Sequence, residues 1–170
     1  MGYLHDVSLS RSVSPFECVY LATGTWTPTI ASNLTSNIRT AGLGWFKIAF
    51  PILVMSHSVP LKGVRLQSVD TYYQISVEAM TLVGGLEISK ITLGVDGTAC
   101  AGASVAVTQD AAHDSNTERK AIGDHTMTTT ITTPVWVDND EHFWAIVGIT
   151  PNTNGIVKFL GARINYTLRI

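Results

Sequence analysis

The closing stretch of the chain constrains the fold most. From Leu160 to Ile170, Leu160, Ala162, Ile164, Tyr166, Leu168 and Ile170 alternate with Gly161, Arg163, Asn165, Thr167 and Arg169. A period of two over that length marks a strand with one buried and one wetter face, because successive side chains of an extended chain point to opposite sides. A strand that continues to Ile170 is expected to tie that end of the chain into a sheet. The alternation recurs upstream. Val69, Thr71, Tyr73, Ile75, Val77 and Ala79 face one way, and Asp70, Tyr72, Gln74, Ser76 and Glu78 the other. Between His125 and Thr133, Met127, Thr129 and Ile131 share a face opposite Thr126, Thr128, Thr130 and Thr132, and β-branched threonine at that density favours strand over helix.

Between these strands the punctuation predicts the connections. Trp45 to Ile52 is apolar on both sides, as in a strand covered on both faces, and is interrupted at Pro51. Gly84-Gly85 predicts a hairpin joining the strand through Ala79 to a second one over Leu86 to Leu93. Asp96-Gly97 marks the next turn, and Ala99 to Val107, small and apolar, reads as a strand in a crowded place. Gln109 to Gly123 is the one long polar stretch, a loop with at most one helical turn around Thr117 to Ala121. The turn Asp138-Asn139-Asp140 precedes a two-sided apolar strand from His142 to Thr150, and Asn152 to Gly155 turns it into the final strand. The sum is all-β: a two-sheet antiparallel sandwich, jelly-roll-like, of about eight or nine strands. Residues 1–40 read as an N-terminal arm with one or two short strands and 41–170 as the β-sandwich, a single domain overall.

Composition narrows the function. Charged residues make up 14% of the chain, against about 25% in soluble domains. A surface so poor in charge suits burial against copies of itself, a homo-oligomer, or else a threonine-rich sheet face. A net charge of −2 supplies no basic field for phosphate backbones, so no nucleic-acid partner is expected. The apolar runs are too short for a membrane span, and Met1 to Arg11 lacks the apolar core of a signal peptide. Cys18 and Cys100 stand apart with no metal or redox spacing and are expected to be buried thiols of a protein folded in a reducing cytoplasm.

Two acidic and histidine-bearing clusters could carry chemistry. In the polar loop, Asp110, His113, Asp114, Glu118, Arg119, Asp124 and His125 lie close in sequence, and His113, Asp114 and His125 are its candidate metal ligands, since imidazole and carboxylate both bind Zn²⁺. The competing reading is a loop folded by Asx turns and by Asp114 or Glu118 pairing with Arg119. Asp138, Asn139 and Asp140, followed by Glu141 and His142, offer oxygens to Ca²⁺ or simply turn the chain. A cupin-like metal enzyme would need three of His57, His113, His125 and His142 to converge. No nucleophile elbow, phosphate loop or metalloprotease helix is present, so neither an enzyme nor a cofactor is expected. The tryptophans Trp26, Trp45, Trp136 and Trp144 admit stacking on sugar rings or burial in the core and interfaces. Trp144 is expected in the core. Trp136, beside Asp138 and Asp140, is the best exposed candidate for a ligand or an interface.

Several stretches carry a family resemblance. Val69-Asp70-Thr71-Tyr72-Tyr73, His113-Asp114-Ser115 with Glu118-Arg119, His125-Thr126-Met127-Thr128, Val135-Trp136-Val137-Asp138-Asn139-Asp140 and the run from Val157 to Tyr166 resemble virion structural proteins of tailed phages. The resemblance covers about the C-terminal two-thirds and transfers no functional residue. It implies a jelly-roll-like sandwich made in the host cytoplasm and mounted on a virion as a capsid decoration, minor capsid or fibre-type component. The implied partners are copies of itself, as a trimer, and the major capsid protein or other virion proteins. The alternative is a carbohydrate- or receptor-binding sandwich of a fibre or tail, with a glycan as partner.

Overall fold

The computed structural model describes residues 5–22, 25–31, 34–39, 44–54, 63–77, 79–94, 98–138 and 140–169. Among these, β1 (Asp6–Val13), β2 (Val19–Ala22), β3 (Trp26–Ala31), β4 (Leu34–Arg39), β5 (Phe46–Ile52), β6 (Val64–Ser76), β7 (Leu82–Val83), β8 (Glu87–Thr92), β9 (Ala101–Val105) and β10 (Val107–Gln109) precede a one-turn helix, α1 (Asn116–Arg119). Three long strands close the fold: β11 (Gly123–Val137), β12 (Glu141–Thr150) and β13 (Ile156–Arg169). They form two antiparallel sheets. The first runs β10-β11-β6-β13-β4-β3 with β1 also on β13; the second runs β2-β5-β12-β8-β9 with β7 also on β12. The expected two-sheet sandwich is present, with thirteen strands among the described residues rather than eight or nine. The additional strands are mostly short ones whose alternation is too brief to register in sequence.

The inward faces meet in one apolar core, where Phe46, Phe50, Phe143 and Phe159 are fully buried among Ile48, Leu66, Ile75, Ile88, Met127 and Ile131. Met127, Thr129 and Ile131 point inward together, as their spacing predicts. Residues expected as an arm lie within the sandwich: β1 pairs with β13 from Asp6 to Val13, β2 with β5, and β4 with β13. A capping box in which Ser14 and Glu17 exchange side-chain hydrogen bonds turns the chain from β1 towards β2.

The predicted Gly84-Gly85 hairpin does not form. β6 belongs to the first sheet, between β11 and β13, whereas β8 belongs to the second, between β12 and β9. Gly84 and Gly85 lie between β7 and β8, which both run antiparallel to β12 in the second sheet. The chain therefore keeps its direction there, and the crossing between sheets comes earlier, between Ser76 and Leu82. β6 also ends at Ser76 rather than Ala79, because Val77 adopts φ 74°, outside any strand conformation. The strand of small residues, β9, is an exposed edge rather than a crowded interior element. Cys18 is half-buried, with burial and the Glu17 charge pushing its thiol up to about 12, while Cys100 is exposed rather than buried.

β13 organises the first sheet. Along one edge it pairs with β6; along the other it pairs first with β4 (Val157 to Phe159) and then with β1 (Ala162 to Arg169). The change of partner coincides with a bulge between Phe159 and Gly161, and the inward face passes from Val157 and Phe159 to Ala162, Ile164 and Tyr166. Leu160, grouped by alternation with Ala162, is the extra residue. Gly161 takes φ 124°, and a Cβ there would lie 2.5 Å from the Val13 carbonyl oxygen. Only glycine meets both conditions without strain.

On the outer face of the same sheet, Asp70 is buried beneath its neighbours. Its carboxylate accepts hydrogen bonds from Thr128 Oγ1 (2.8 Å) on β11 and from Asn165 Nδ2 (3.0 Å) and Arg163 Nε (2.9 Å) on β13. Burial alone would raise the Asp70 pKa; the hydrogen bonds from Asn165, Thr128 and Arg163, with the Arg163 charge, outweigh it and hold the carboxyl below the ordinary range. This cluster joins the sheet's three longest strands through side chains.

Two outcomes follow for stability. Gly161→Ala is expected to cost about 2 kcal/mol or more in denaturant unfolding, and a change within experimental error would remove the bulge argument. Asp70→Asn is expected to cost about 1–3 kcal/mol at neutral pH. Because the folded-state pKa of Asp70 is depressed, its ionic contribution is full above the unfolded value near 3.8 and fades as pH falls through the lower folded value. The stability gap between wild type and Asp70→Asn should therefore narrow in acid, and a gap that widens there would contradict the assignment.

Candidate binding face

Strand register places a row of side chains across the outer face of the second sheet. Pro51 on β5 pairs with Trp144 on β12, Trp144 with Ser89 on β8, and Ser89 with Ser104 on β9. Cross-strand partners project to the same side, so Trp144 stands between a proline and two serine hydroxyls. The adjoining rows are Ala49, Ile146 and Glu87 on one side and His142, Ile91 and Gly102 on the other. Together they shape an open groove of about 450 Å³ lined by Trp144, Ile146, Ile91, Ser89, Ser104, Ala103 and Gly102. Among the described residues no ionisable side chain lines it, Glu87 and His142 standing outside its lining in the adjoining rows. Gly102 leaves space at the β9 side, since a Cβ there would meet nothing within 4 Å.

This placement corrects the expectation that Trp144 is a core residue. The inward positions of β12 are Phe143, Ala145, Val147 and Ile149, and Trp144 is half-buried on the opposite face. A two-sided apolar strand implies cover on both faces, but the second sheet buries only one. The apolar character continues over β2 and just before β5, where Val19 (44%), Leu21 (50%) and Trp45 (61%) stand exposed, with the Lys47 ammonium 5.6 Å from the centre of the Trp45 ring. The outer face of the first sheet is the reverse, carrying Ser8, Ser10, Ser12, Ser68, Thr128 and Asn165 across its strands. The two outer faces thus differ: the first is rich in hydroxyls around Asp70 and Arg163, and the second carries Trp144, Ile146, Ile91 and Pro51 with Glu87, His142 and Lys47 around them.

The other sequence candidates occupy different places. Trp136, 37% exposed, has two guanidinium groups over its ring, Arg169 at 4.7 Å and Arg65 at 5.6 Å, and a Cβ on Gly63 would sit 3.1 Å from it. Its ring is therefore largely occupied by the protein, although its strand borders a second depression with Lys90, Val105 and Pro134. Asp138 and Asp140 flank the turn into β12, where Glu141 N–H donates to the Asp138 carbonyl (3.2 Å) and Leu93 N–H to the Asp140 carbonyl (2.8 Å); Asn139 lies outside the described residues. Trp26 packs among Tyr20 and Phe46.

His113 and His125 do meet, but Asp114 does not join them. Asp110 supplies the carboxylate, with Oδ1 2.8 Å from His113 Nδ1, and His113 Nε2 lies 3.3 Å from His125 Nδ1. Asp110 also accepts from the amides of Thr128 (2.6 Å) and Ala112 (3.0 Å). Among the described residues no group of three His, Cys, Asp or Glu side chains converges as metal ligands. His142 is exposed on β12, and His57 lies outside the described residues. The expected ion pairs to Arg119 are replaced: its guanidinium donates to the carbonyls of His113 (2.6 Å), Val83 (2.8 Å) and Asp114 (2.9 Å), while Glu118 and Ser115 close a capping box on α1.

Ser89, Ile91 and Ser104 escape sequence reading because the groove is assembled by pairing across three strands. The available signal is that Trp45–Ile52 and His142–Thr150 are both apolar on both sides, and two such strands side by side leave an apolar outer face.

No family model matches the chain, and no curated protein does. Three solved structures are similar to it in overall shape. A family 11 carbohydrate-binding module from Clostridium thermocellum, solved with a β-1,3-1,4-mixed-linked tetrasaccharide, is 6% identical with a TM-score of 0.45, covering 91% of this chain and 94% of the module. The enzymatically active domain of tailspike protein 4 of bacteriophage CBA120 is 12% identical with a TM-score of 0.41, over 91% of this chain and 20% of that one. A carbohydrate-binding module of the β-sandwich superfamily, described as promiscuous in specificity, is 11% identical with a TM-score of 0.40, over 95% and 56% respectively.

Proposed function

We propose that this protein is a non-catalytic binding module whose outer second-sheet groove takes an uncharged glycan. The observation that carries the reading is the Trp144 indole, half-buried on an open sheet face in a groove with no ionisable lining. An indole face stacks on the apolar face of a pyranose ring, and the Ser89 and Ser104 hydroxyls beside it can donate to or accept from sugar hydroxyls. A lining without charge favours neutral sugars over sialylated or sulfated ones. A reading as binding rather than glycoside cleavage is supported by the groove's lining, which among the described residues includes no carboxylate pair.

Trp144→Ala is expected to weaken glycan binding by about thirtyfold, equivalent to about 2 kcal/mol at an aromatic hot spot, while leaving the unfolding midpoint within a few degrees of wild type. A glycan array followed by calorimetric titration of its best ligand measures this. Binding undiminished by Trp144→Ala, or an array silent for neutral glycans, would overturn the reading.

A second reading rests on a different part of the same face. Val19, Leu21 and Trp45 form an exposed apolar margin on β2 and before β5, suited to contact between copies of the chain in a phage particle assembled in the host cytoplasm. Under this reading the protein is a trimeric capsid decoration or fibre-type component held to the major capsid protein or other virion proteins. Light scattering is then expected to give three times the 18.3 kDa chain mass, and Leu21→Glu to reduce it to one. A wild-type monomer at micromolar concentration would count against self-association through this margin.

A further inference from the structure

The second sheet ends on an edge with no strand beyond it among the described residues, where β9 has β8 as its one strand partner. Its sequence, Ala101-Gly102-Ala103-Ser104-Val105, contains no charged residue and no proline, and its first four residues are exposed. Edge strands are commonly blunted by lysine, proline or a bulge, because a row of unpaired N–H and C=O groups is a template for another chain. The neighbouring edge of the first sheet carries such a device. β10 covers β11 only from Thr129 to Ile131, and beyond it stands Pro134, which has no N–H to offer. β9 carries none.

A depression lies on each side of this edge. Register sets Gly102 and Ser104 on the outer side with Ser89, Ile91 and Trp144, and Ala103 and Val105 on the inner side with Lys90 and Ile88. The outer depression is the Trp144 groove. The inner one, also about 450 Å³, takes its walls from both sheets, from Lys90 and Val105 in the second and from Pro134, Val135 and Trp136 in the first. Ala103 and Ser104 line both, so β9 is the partition between them. Lys90 is paired with Glu141 and needs no charged partner, and most of the remaining wall is aliphatic or aromatic.

We propose that β9 is a docking edge for an extended segment of another protein, which adds a strand to the second sheet and places apolar side chains alternately in the two depressions. An added strand lies about 4.8 Å from β9 and its successive side chains point to opposite faces. One set enters the Trp144 groove and the other the depression beside Val105 and Pro134. Main-chain hydrogen bonds to β9 supply the affinity, and the two depressions select the side chains. The length of β9 matches five partner residues. The partner's side chains are larger than those of β9, because the β9 of a second copy would bring only alanine, glycine, serine and one valine to two depressions of this size. The small residues of β9 in turn leave both depressions open, and a Cβ at Gly102 would meet nothing within 4 Å. The proposal goes beyond the glycan reading and does not depend on it, since a sugar over Trp144 needs no donor or acceptor from the β9 edge.

A panel of synthetic peptides, with pairs of lysines flanking short cores of leucine, valine, phenylalanine and tyrosine, tests it against the full chain by calorimetric titration and amide hydrogen exchange. The peptide that binds best is expected to slow exchange at alternate amides of β9 by about tenfold. Of two analogues N-methylated at odd or at even core positions, one should lose binding and the other keep it, because only one edge of the peptide faces β9. Gly102→Lys and Ala103→Lys put a charge in the outer and the inner depression respectively, at exposed positions, and each is expected to weaken the peptide by about tenfold. The methylated pair keeps the test informative if either variant does not fold. No binding by any peptide of the panel, equal behaviour of the two methylated analogues, unchanged exchange at β9, or weakening by Gly102→Lys alone would each overturn the proposal. So would a wild-type dimer in light scattering that both lysine variants dissociate, since a second copy would then hold the edge.

Discussion

The first sheet depends on one strand having three partners. β13 spends one edge on β6 and divides the other between β4 and β1, and where the partner changes from β4 to β1 its register against β6 is locally broken. The bulge before Gly161 is that break. The glycine lets the chain take the left-handed backbone conformation and lets the Val13 carbonyl approach within a distance that any side chain would block. From it follow the inward positions of Ala162, Ile164 and Tyr166, the place of β1 in the sheet, and the outward alignment of Arg163 and Asn165 over Asp70. The Asp70 cluster then fastens β13 to β6 and β11 with side-chain bonds that the backbone ladder does not supply.

The two outer faces divide the remaining surface by chemistry. Over the first sheet, serine, threonine and asparagine surround one buried carboxylate; over the second, tryptophan, isoleucine and proline lie among isolated hydroxyls. A single inward core therefore supports two exteriors of opposite character, and the proposed functions both draw on the apolar one. The histidine pair belongs to neither. It sits where the loop bearing α1 returns to β11 and fixes that return through Tyr73 and Asp110.

Periodicity made the long strands legible wherever one face met the core and the other met water. Met127, Thr129 and Ile131 on β11 and Val69, Thr71, Tyr73 and Ile75 on β6 point inward as alternation requires. It failed where geometry breaks the period, at Leu160 and at Val77, since a bulge or a left-handed residue leaves no mark in hydrophobicity. It failed again at Gly84-Gly85, because a turn signal is local while membership of a sheet is decided by distant partners. Trp144 was misplaced for a related reason: apolar character on both sides of a strand reports what the strand can contact, not which side is covered. For the candidate site, residue types located His113 and His125, but Asp110 rather than Asp114 is brought to His113 only through the pairing of β10 with β11.

The pairing of β1 with β13 also sets the order in which the fold can be completed. Asp6 and Arg169 are joined by a salt bridge across 163 positions of sequence, and β13 supplies the middle of the first sheet. During synthesis, β1, β4 and β6 emerge long before the strand that unites them, so the first sheet stays open until β13 has left the ribosome. Closing so long a loop is slow relative to local contacts. Until then the unpaired strand edges are exposed to neighbouring chains, and the serines of β1 make its waiting edge less adhesive than valine or isoleucine would.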